Sequence, residues 1–297
     1  MASIVECVPN FSEGRRGEVI EAIADGIRGQ RGVRLLDIQA DASHNRSVLS
    51  FVGDLDAVRT AALAATRRAV ELIDMNVHKG EHPRMGAVDV IPFVPISGVT
   101  MEECVGAARR LGREIWETLR VPVFFYAEAA TRPERRRLPD IRKGEYEGLR
   151  EKLAGLDWMP DVGEPAPHPT AGATVVGARA PLIAYNINLA SEDVEVARKI
   201  ARAVRESSGG LANVQAMGVR SESGRAQVSM NLLDYTRTPI HVAYEQVRLE
   251  ASRHGVDILE SEVVGLVPLD AIAESARFYL RLRGFNREQI LEAKLME

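Results

Sequence analysis

The residues best suited to chemistry in this sequence lie in one short segment, residues 78–86. Within seven positions the segment contains two histidines, a carboxylate and two cations: His78, Lys79, Glu81, His82 and Arg84. Histidine is the side chain whose ordinary pKa lies near neutrality, so one of the pair can take up and release protons at physiological pH. The segment therefore predicts general acid/base catalysis by a loop histidine.

The same segment matches the H-x-x-E-H pattern of one class of zinc enzymes. In that pattern both histidines lie on one face of a helix, one turn apart. Gly80 within the segment and Pro83 directly after it disfavour a continuous helix, so a zinc hydrolase is the weaker interpretation. A third interpretation is a polar loop without a catalytic role, in which backbone groups satisfy the histidines.

A second polar cluster, residues 41–46, joins two predicted strands. Asp41, His44 and Arg46 supply an acceptor, a titratable ring and a cation that can bind a carboxylate. One interpretation is a hairpin that faces a ligand. The other is an Asx-type turn with a structural role only.

A third cluster, residues 8–14, lies where a strand end turns into a helix. Asn10 or Ser12 can cap that helix, and backbone N–H groups at such a turn can also bind an anion. The glycines nearby do not form the G-x-G-x-x-G or P-loop patterns of nucleotide-binding proteins. Helix capping and anion binding both remain open for Asn10.

The periodicity of apolar residues predicts the elements that must position these clusters. In the first half, strands are predicted near residues 4–8, 33–38, 47–52, 88–95 and 121–126, and helices near 17–29, 56–74 and 101–119. In the second half, strands are predicted near 182–189, 214–219, 227–233 and 256–264, and helices near 191–207, 239–254, 268–282 and 286–295. Both halves contain the order β-α-β-β-α-β. We therefore predict an α+β fold of two ferredoxin-like α/β subdomains, with mixed or antiparallel sheets facing a shared substrate cleft or tunnel.

Residues 129–172 interrupt this pattern with many charges and a proline-rich run. We interpret the stretch in part as a linker between an N-terminal domain, residues 1–178, and a C-terminal domain, residues 179–297. A stretch this long is also a candidate for function, because long ordered loops often line binding sites.

Composition and charge exclude several classes of protein. The net charge of −4 argues against a nucleic-acid binder, which usually presents a basic face. The two cysteines, Cys7 and Cys104, do not make a disulfide framework and are predicted to be buried free thiols. No signal-peptide pattern and no apolar run of membrane-spanning length is present, so we expect a cytoplasmic protein without membrane contact.

Together these segments resemble the glutamate formimidoyltransferase (formiminotransferase) family. The resemblance extends from Val5 to about Val267 and rests on residues 5–14, 72–75, 78–87, 144–147, 172–175 and 184–189. It implies transfer of the formimino group of N-formimino-L-glutamate to tetrahydrofolate, a co-substrate, without a metal. It also implies two α/β subdomains with a tunnel between them and a homodimer formed through the first subdomain.

The resemblance also implies roles for particular residues. It places the catalytic histidine at His82 and a folate-binding stretch at Gly163, Glu164, Pro165, Ala166, Pro167, His168, Pro169, Thr170, Ala171 and Gly172. We predict that the other substrate-binding side chains are Asn10, Asp41, His44, Arg46 and Arg84. Where the animal enzymes have an aspartate near the substrate, this sequence has Gln39, and Asp41 could take its place.

Two alternatives to the transferase remain at this point. Gln39 keeps open a folate-binding homologue that acts on formyl-folate or lacks transferase activity, and the zinc hydrolase is less favoured. The animal enzymes also carry a fused cyclodeaminase domain. Because this chain stops at Glu297, we expect a separate cyclodeaminase to process its product.

Overall fold

The chain folds as two compact units whose boundary lies between Arg179 and Ala180, one residue after the predicted boundary. A computed structural model describes residues 3–80, 82–221 and 223–295. Each unit encloses an apolar core of its own. Within the described ranges, no helix combines the length and the apolar character needed to span a bilayer.

The first unit is built on a mixed sheet, which has seven strands among the described residues. The strands are β1 (Ile4–Cys7), β2 (Asn10–Phe11), β3 (Val33–Asp41), β4 (Arg46–Gly53), β5 (Val88–Ser97), β6 (Val123–Ala127) and β7 (Thr174–Ala178). β3 pairs with β4, β4 with β1 and β2, and these with β5, all antiparallel. β7 lies between β5 and β6 and is parallel to both. This arrangement confirms the predicted α+β fold with a ferredoxin-like order and a mixed sheet, and β7 adds a parallel part.

One face of this sheet is covered by α1 (Gly17–Arg28), α2 (Leu55–Leu72) and α3 (Met101–Leu119). Their starts follow from the sequence: Asp54 caps α2 through the N–H groups of Asp56 and Ala57, and Thr100 forms a capping box with Glu103. The core between helices and sheet includes the thiols of Cys7 and Cys104. Both cysteines are free and buried, as predicted.

The opposite face of the sheet is partly covered by residues 129–172. This stretch contains α4 (Leu138–Arg142), α5 (Leu149–Ala154) and the 3₁₀ turns Pro133–Arg135 and Leu156–Trp158. Ile141, Leu149 and Leu153 pack on Val90 and Val175 of the sheet. The interpretation of this stretch as an inter-domain linker is therefore wrong, because its scattered apolar residues fold back onto the first unit.

The rest of that face is free of the three long helices and carries polar side chains. Side chains alternate between the two faces of a sheet, and directly paired residues share a face. Asn10 and Gln39 both pair with Val48, and Arg46 lies two residues before Val48 on β4. Phe11, the next residue after Asn10, lies in the helix-side core. Asn10, Gln39 and Arg46 therefore share the helix-free face.

The second unit is an antiparallel sheet, four-stranded in its described part. Its elements are β8 (Ile183–Leu189), α6 (Val194–Val204), the 3₁₀ turn Glu206–Ser208, β9 (Val214–Arg220), β10 (Ala226–Leu232), α7 (Ile240–Arg253), β11 (Ile258–Val264), α8 (Leu269–Leu280), the 3₁₀ turn Arg287–Gln289 and α9 (Leu291–Leu295). In the sheet the strands lie in the order β11-β8-β10-β9. Four strands in this order with two crossover helices form a ferredoxin-like unit, as predicted.

Candidate active site

Three loops of the first unit meet at the side chain of Asn45. Asn45 lies in the turn between β3 and β4, buried and with a φ of 49°. Its Oδ1 accepts a hydrogen bond from the backbone N–H of Gly14 at 3.0 Å, and its Nδ2 donates to the carbonyl of Lys79 at 2.9 Å. The three chemical clusters of the sequence are thus joined by one carboxamide.

Gly80 allows the histidine-bearing loop to approach this hairpin closely. A Cβ at position 80 would lie 2.3 Å from the carbonyl oxygen of His44 and 2.8 Å from the Cβ of Asn45. A side chain there would push the loop away. Residues 78–80 and 82–86 contain no helical turn in the described structure, as expected from Gly80 and Pro83.

His78 is fixed by the protein through both ring nitrogens. Its Nε2 lies 3.0 Å from the carbonyl oxygen of Asn45, so Nε2 carries the proton and donates. Its Nδ1 accepts from Nε of Arg84 at 3.3 Å. Burial lowers the pKa of His78, and the neighbouring Arg84 adds to this. The His78 ring is therefore neutral and hydrogen-bonded to the protein through both nitrogens, so neither nitrogen is available to a substrate or a metal.

His82 is engaged differently. Its Nε2 lies 3.1 Å from Nη1 of Arg46. A guanidinium can only donate, so Nε2 accepts and the proton of the neutral ring is on Nδ1. Arg46 is also 3.3 Å from Oδ1 of Asn10. The half-buried His82 thus contacts Arg46, which also contacts Asn10 on the helix-free face of the sheet.

The electrostatic setting of His82 strongly disfavours its protonated form. The pKa of His82 is lowered from 6.5 to about 2, first by burial and then by the positive charges of Arg46, Arg142, His44 and Arg84. At neutral pH the ring is therefore a proton acceptor. In this state it is a weak base, because a general base works best when its pKa lies near the working pH.

Two of these neighbouring arginines are neutralised by carboxylates. Arg142, at the end of α4, forms an ion pair with the buried carboxylate of Asp89. Arg84 is buried, and its two terminal nitrogens bind Glu145 at 3.0 Å and Glu147 at 2.7 and 2.8 Å. Since Nε of Arg84 binds His78, the whole guanidinium has protein partners, and its predicted contact with substrate stays a prediction.

Asp41 and His44 form a pair at the edge of the same hairpin. One carboxylate oxygen of Asp41 accepts from the backbone N–H of His44 at 2.9 Å, and the other lies 2.6 Å from Nδ1 of its ring. Burial opposes ionisation of Asp41, but the hydrogen bonds and charge of His44 lower its pKa overall. The carboxylate is two residues from Gln39 along β3, and whether it serves in place of an acid at position 39 stays a prediction.

The predicted folate-binding stretch, residues 163–172, ends beside the histidine-bearing loop. Its last residues form a tight turn: His168 and Gly172 exchange backbone hydrogen bonds at 2.8 and 3.2 Å. The ring Nδ1 of His168 accepts from the N–H groups of Thr170 and Ala171. The carbonyl of Thr170 binds the N–H of Met75, and that of Ala171 binds the N–H of Ala87. Both ends of the loop that carries His82 are therefore tied to this stretch.

A cavity of about 390 Å³ opens beside the loop of residues 78–86 that carries the two histidines. Its lining comprises Lys79, Gly80, Arg84, Gly144, Glu145 and Glu147. The volume is within the range typical of small-molecule sites. Across the described residues, which do not include Glu81, no three histidine, cysteine, aspartate or glutamate side chains are grouped as metal ligands.

Several residues that shape the site gave no functional signal in the sequence. Asp89 and Arg142, which form an ion pair, are 53 positions apart in the sequence. Neither belongs to one of the three polar clusters. Asn45 was part of a polar cluster, but nothing in its spacing indicated that it joins three loops. Glu145 and Glu147 belong to a motif of the family resemblance, without a role assigned to them.

The fold and the site define a class of protein: an α+β enzyme whose candidate site holds a neutral histidine beside an arginine that has no ion-pair partner among the described residues. Comparison with known proteins narrows this class. Residues 4–179 match the family described as "Formiminotransferase domain, N-terminal subdomain". Residues 184–294 match the family described as "Formiminotransferase domain". The chain belongs to the formiminotransferase family.

Individual relatives match over nearly the whole chain. Glutamate formimidoyltransferase of Streptococcus pyogenes serotype M1 is 46% identical over 100% of both chains. Glutamate formimidoyltransferase of Thermoplasma acidophilum is 49% identical over 99% of this chain and 97% of its own. Formimidoyltransferase-cyclodeaminase of Gallus gallus is 51% identical over 95% of this chain and 53% of its own length. This chain thus corresponds to about half of the chicken protein.

Proposed function

We propose that this protein transfers the formimino group of N-formimino-L-glutamate to tetrahydrofolate, giving 5-formiminotetrahydrofolate and L-glutamate. The observation that carries the proposal is the state of His82, a neutral ring whose accepting nitrogen faces Arg46. The full-length similarity to glutamate formimidoyltransferases supports the choice of substrates.

The reaction needs one proton to move between two nitrogens. N5 of tetrahydrofolate attacks the formimino carbon, and a bond forms between them. His82 accepts the proton that N5 loses and delivers it to the glutamate nitrogen. The bond from that nitrogen to the formimino carbon then breaks, and glutamate leaves as an amine. General acid/base help of this kind is worth roughly 10²–10⁴-fold in rate.

The surrounding residues fit the charges of the two substrates. Both substrates carry glutamate carboxylates, for which Arg46 is a partner on the helix-free face and Arg84 a predicted one. We assign the folate to the stretch 163–172, because its final turn is hydrogen-bonded to the loop that carries His82. Holding both substrates beside one ring adds to the rate through orientation. That the two units enclose the substrates between them stays a prediction.

We include in the proposal the homodimer and the cytoplasmic location predicted from the sequence. β3 supports the dimer, because it pairs only with β4 among the described strands and leaves one edge of the sheet open. Light scattering of the purified protein tests the dimer: a monomeric mass at working concentration would contradict it.

The experiment is a two-substrate assay that detects 5-formiminotetrahydrofolate. We expect turnover by the wild-type protein and a loss of about 10²–10⁴-fold in His82→Ala. His254→Ala, which removes an exposed histidine of the second unit, is the control and should retain wild-type activity. Turnover of His82→Ala within about threefold of wild type, well short of the general acid/base range, would show that His82 does not transfer the proton.

A further inference from the structure

We propose that Arg46 gates His82: its guanidinium occupies Nε2 of the ring until the α-carboxylate of the formimino substrate draws it away and frees that nitrogen for proton transfer. This inference rests on the proposed function and adds a control step to it. Arg46 donates first to Nε2 of His82 and then to the α-carboxylate of the substrate, so it does more than bind an anion.

The first support is the geometry of the ring. Nε2 of His82 already accepts a hydrogen bond from Nη1 of Arg46 at 3.1 Å. Nδ1 carries the proton of the neutral ring, so the lone pair on Nε2 is the only one free to act as a base. While Arg46 stays in place, an attacking nitrogen cannot deliver its proton there. Catalysis through Nε2 therefore requires Arg46 to move.

The second support is that Arg46 is held weakly by the protein. Its one other hydrogen bond is the 3.3 Å contact with Oδ1 of Asn10, and its Nε is buried without a hydrogen-bond partner in the described part of the chain. Asp41 pairs with Arg46 across β3 and β4, but its carboxylate is already hydrogen-bonded to His44. A partly buried guanidinium without a carboxylate partner is costly, which favours capture of an incoming anion.

The third support comes from the other charges that face His82. These are Arg142, His44 and Arg84, together with Arg46 itself. Arg142 is paired with Asp89, Arg84 with Glu145 and Glu147, and His44 with Asp41. Of this set Arg46 is the one cation that forms no ion pair among the described residues. A substrate carboxylate that neutralised Arg46 would therefore change the field at His82 most.

The chemistry of the substrate places its α-carboxylate within reach. The nitrogen that leaves is bonded to the α-carbon of the glutamate, and the α-carboxylate is bonded to the same carbon. When His82 delivers its proton to that nitrogen, the carboxylate lies within a few ångströms of the ring and hence of Arg46. One movement of the guanidinium both binds the substrate and activates the base.

The test follows the protonation of His82 by NMR in ¹⁵N-histidine-labelled full-length protein, between about pH 4 and pH 8. We expect the wild-type ring to stay neutral throughout this range without ligand. With saturating N-acetyl-L-glutamate, a carboxylate probe that cannot react, the ring should begin to protonate at the acid end of this range. In Arg46→Gln it should do so without the probe, and the probe should then raise its apparent pKa by less than about half a pH unit.

Two further variants keep the result interpretable. Arg46→Lys retains a positive charge beside the ring, so His82 should stay neutral without the probe. Arg34→Gln removes an arginine of β3 outside the site and should behave as wild type. The same apparent pKa for His82 in the wild type and Arg46→Gln, or no response of the wild type to the probe, would overturn the gate.

The titration does not depend on turnover. A protein whose His82 responds to the probe, but which forms no 5-formiminotetrahydrofolate, would keep the gate and refute the proposed function. Turnover that depends on His82, in a protein whose His82 pKa changes neither in Arg46→Gln nor with the probe, would support the proposed function and refute the gate.

Discussion

The side-chain amide of Asn45 donates a hydrogen bond to the carbonyl oxygen of Lys79 at 2.9 Å and so fixes the hairpin turn to the loop that carries His82. The same side chain accepts from the N–H of Gly14. The position of the His82 ring relative to Arg46 therefore depends on Asn45, to which we assign no chemical step.

Replacing Asn45 by Ala should weaken both the fold and the activity. Two backbone groups lose their buried partner, at a cost of about 1–3 kcal/mol each, and alanine is strained at a φ of 49°. We expect a lower free energy of unfolding and a fall in kcat/KM, both measured on the purified variant. Asn213→Ala is the matched control, because Asn213 has a φ of 58° in the second unit. Equal kcat/KM losses in both variants would contradict a role for Asn45 in positioning the site.

Arg84 offers a test between a structural role and a substrate contact. Its guanidinium is 5% exposed and binds Glu145, Glu147 and His78. Lysine keeps the charge but cannot bind Glu147 through two nitrogens while it also reaches His78. If the role is structural, Arg84→Lys should lose about 1–3 kcal/mol of stability and keep KM for formiminoglutamate within about twofold.

The matched comparison for Arg84 is Arg59→Lys. Arg59 is 20% exposed and pairs with Glu114 on the helix side of the sheet, away from the loop of His82. A KM raised in Arg84→Lys and unchanged in Arg59→Lys would show that Arg84 contacts the substrate, as predicted from the sequence.

The chemical groups of the site could be predicted from the sequence, but their arrangement could not. Side-chain type was enough to select the pair His78 and His82 and to propose Arg46, and the family resemblance singled out His82. Apolar periodicity was enough to place the long helices and most strands. The ion pair of Asp89 with Arg142 depends on tertiary folding over 53 positions. The opposite proton positions of His78 and His82 depend on whether a carbonyl or a guanidinium faces each ring.

The fold was missed where charge hid the apolar pattern. Arginines, glutamates and prolines outnumber apolar residues in the stretch 129–172, so the sequence there predicts a linker in part. Ile141, Leu149 and Leu153 nevertheless suffice to pack the stretch on the sheet. β7 was missed because five residues directly after a proline-rich run show no clear period, and the strand is buried on both faces.

Gly172 should be indispensable at the end of the predicted folate stretch. Its φ is +71°, and a Cβ would lie 2.3 Å from the carbonyl oxygen of Met85. Gly172→Ala should therefore shift the turn that follows His168 and raise KM for tetrahydrofolate more than KM for formiminoglutamate. Gly209→Ala has the same backbone strain at a φ of +87° with open space around the Cβ. A tetrahydrofolate KM of Gly172→Ala that matches the Gly209→Ala control would remove this stretch from the folate site.

The buried histidines should make stability fall as the pH is lowered from neutrality. Burial lowers the pKa of His78, His82, His168 and His241 below the ordinary value of 6.5. Each therefore binds a proton more readily in the unfolded chain than in the folded one. The free energy of unfolding then decreases as the pH falls through about 6.5, by at most about 1.4 kcal/mol per pH unit for each histidine.

Urea denaturation at several pH values between about 7.5 and 5 measures this slope. His82→Gln removes one of these four rings, so its slope in this range should be smaller than that of the wild type. His254→Gln, at an exposed position, should keep the wild-type slope. Carboxylates with lowered pKa values, such as Glu13 and Glu147, contribute only at lower pH, because their ordinary pKa is 4.5. A wild-type stability that stays constant from pH 7 to pH 5, or an unchanged slope in His82→Gln, would show that His82 is not held in its neutral form by the fold.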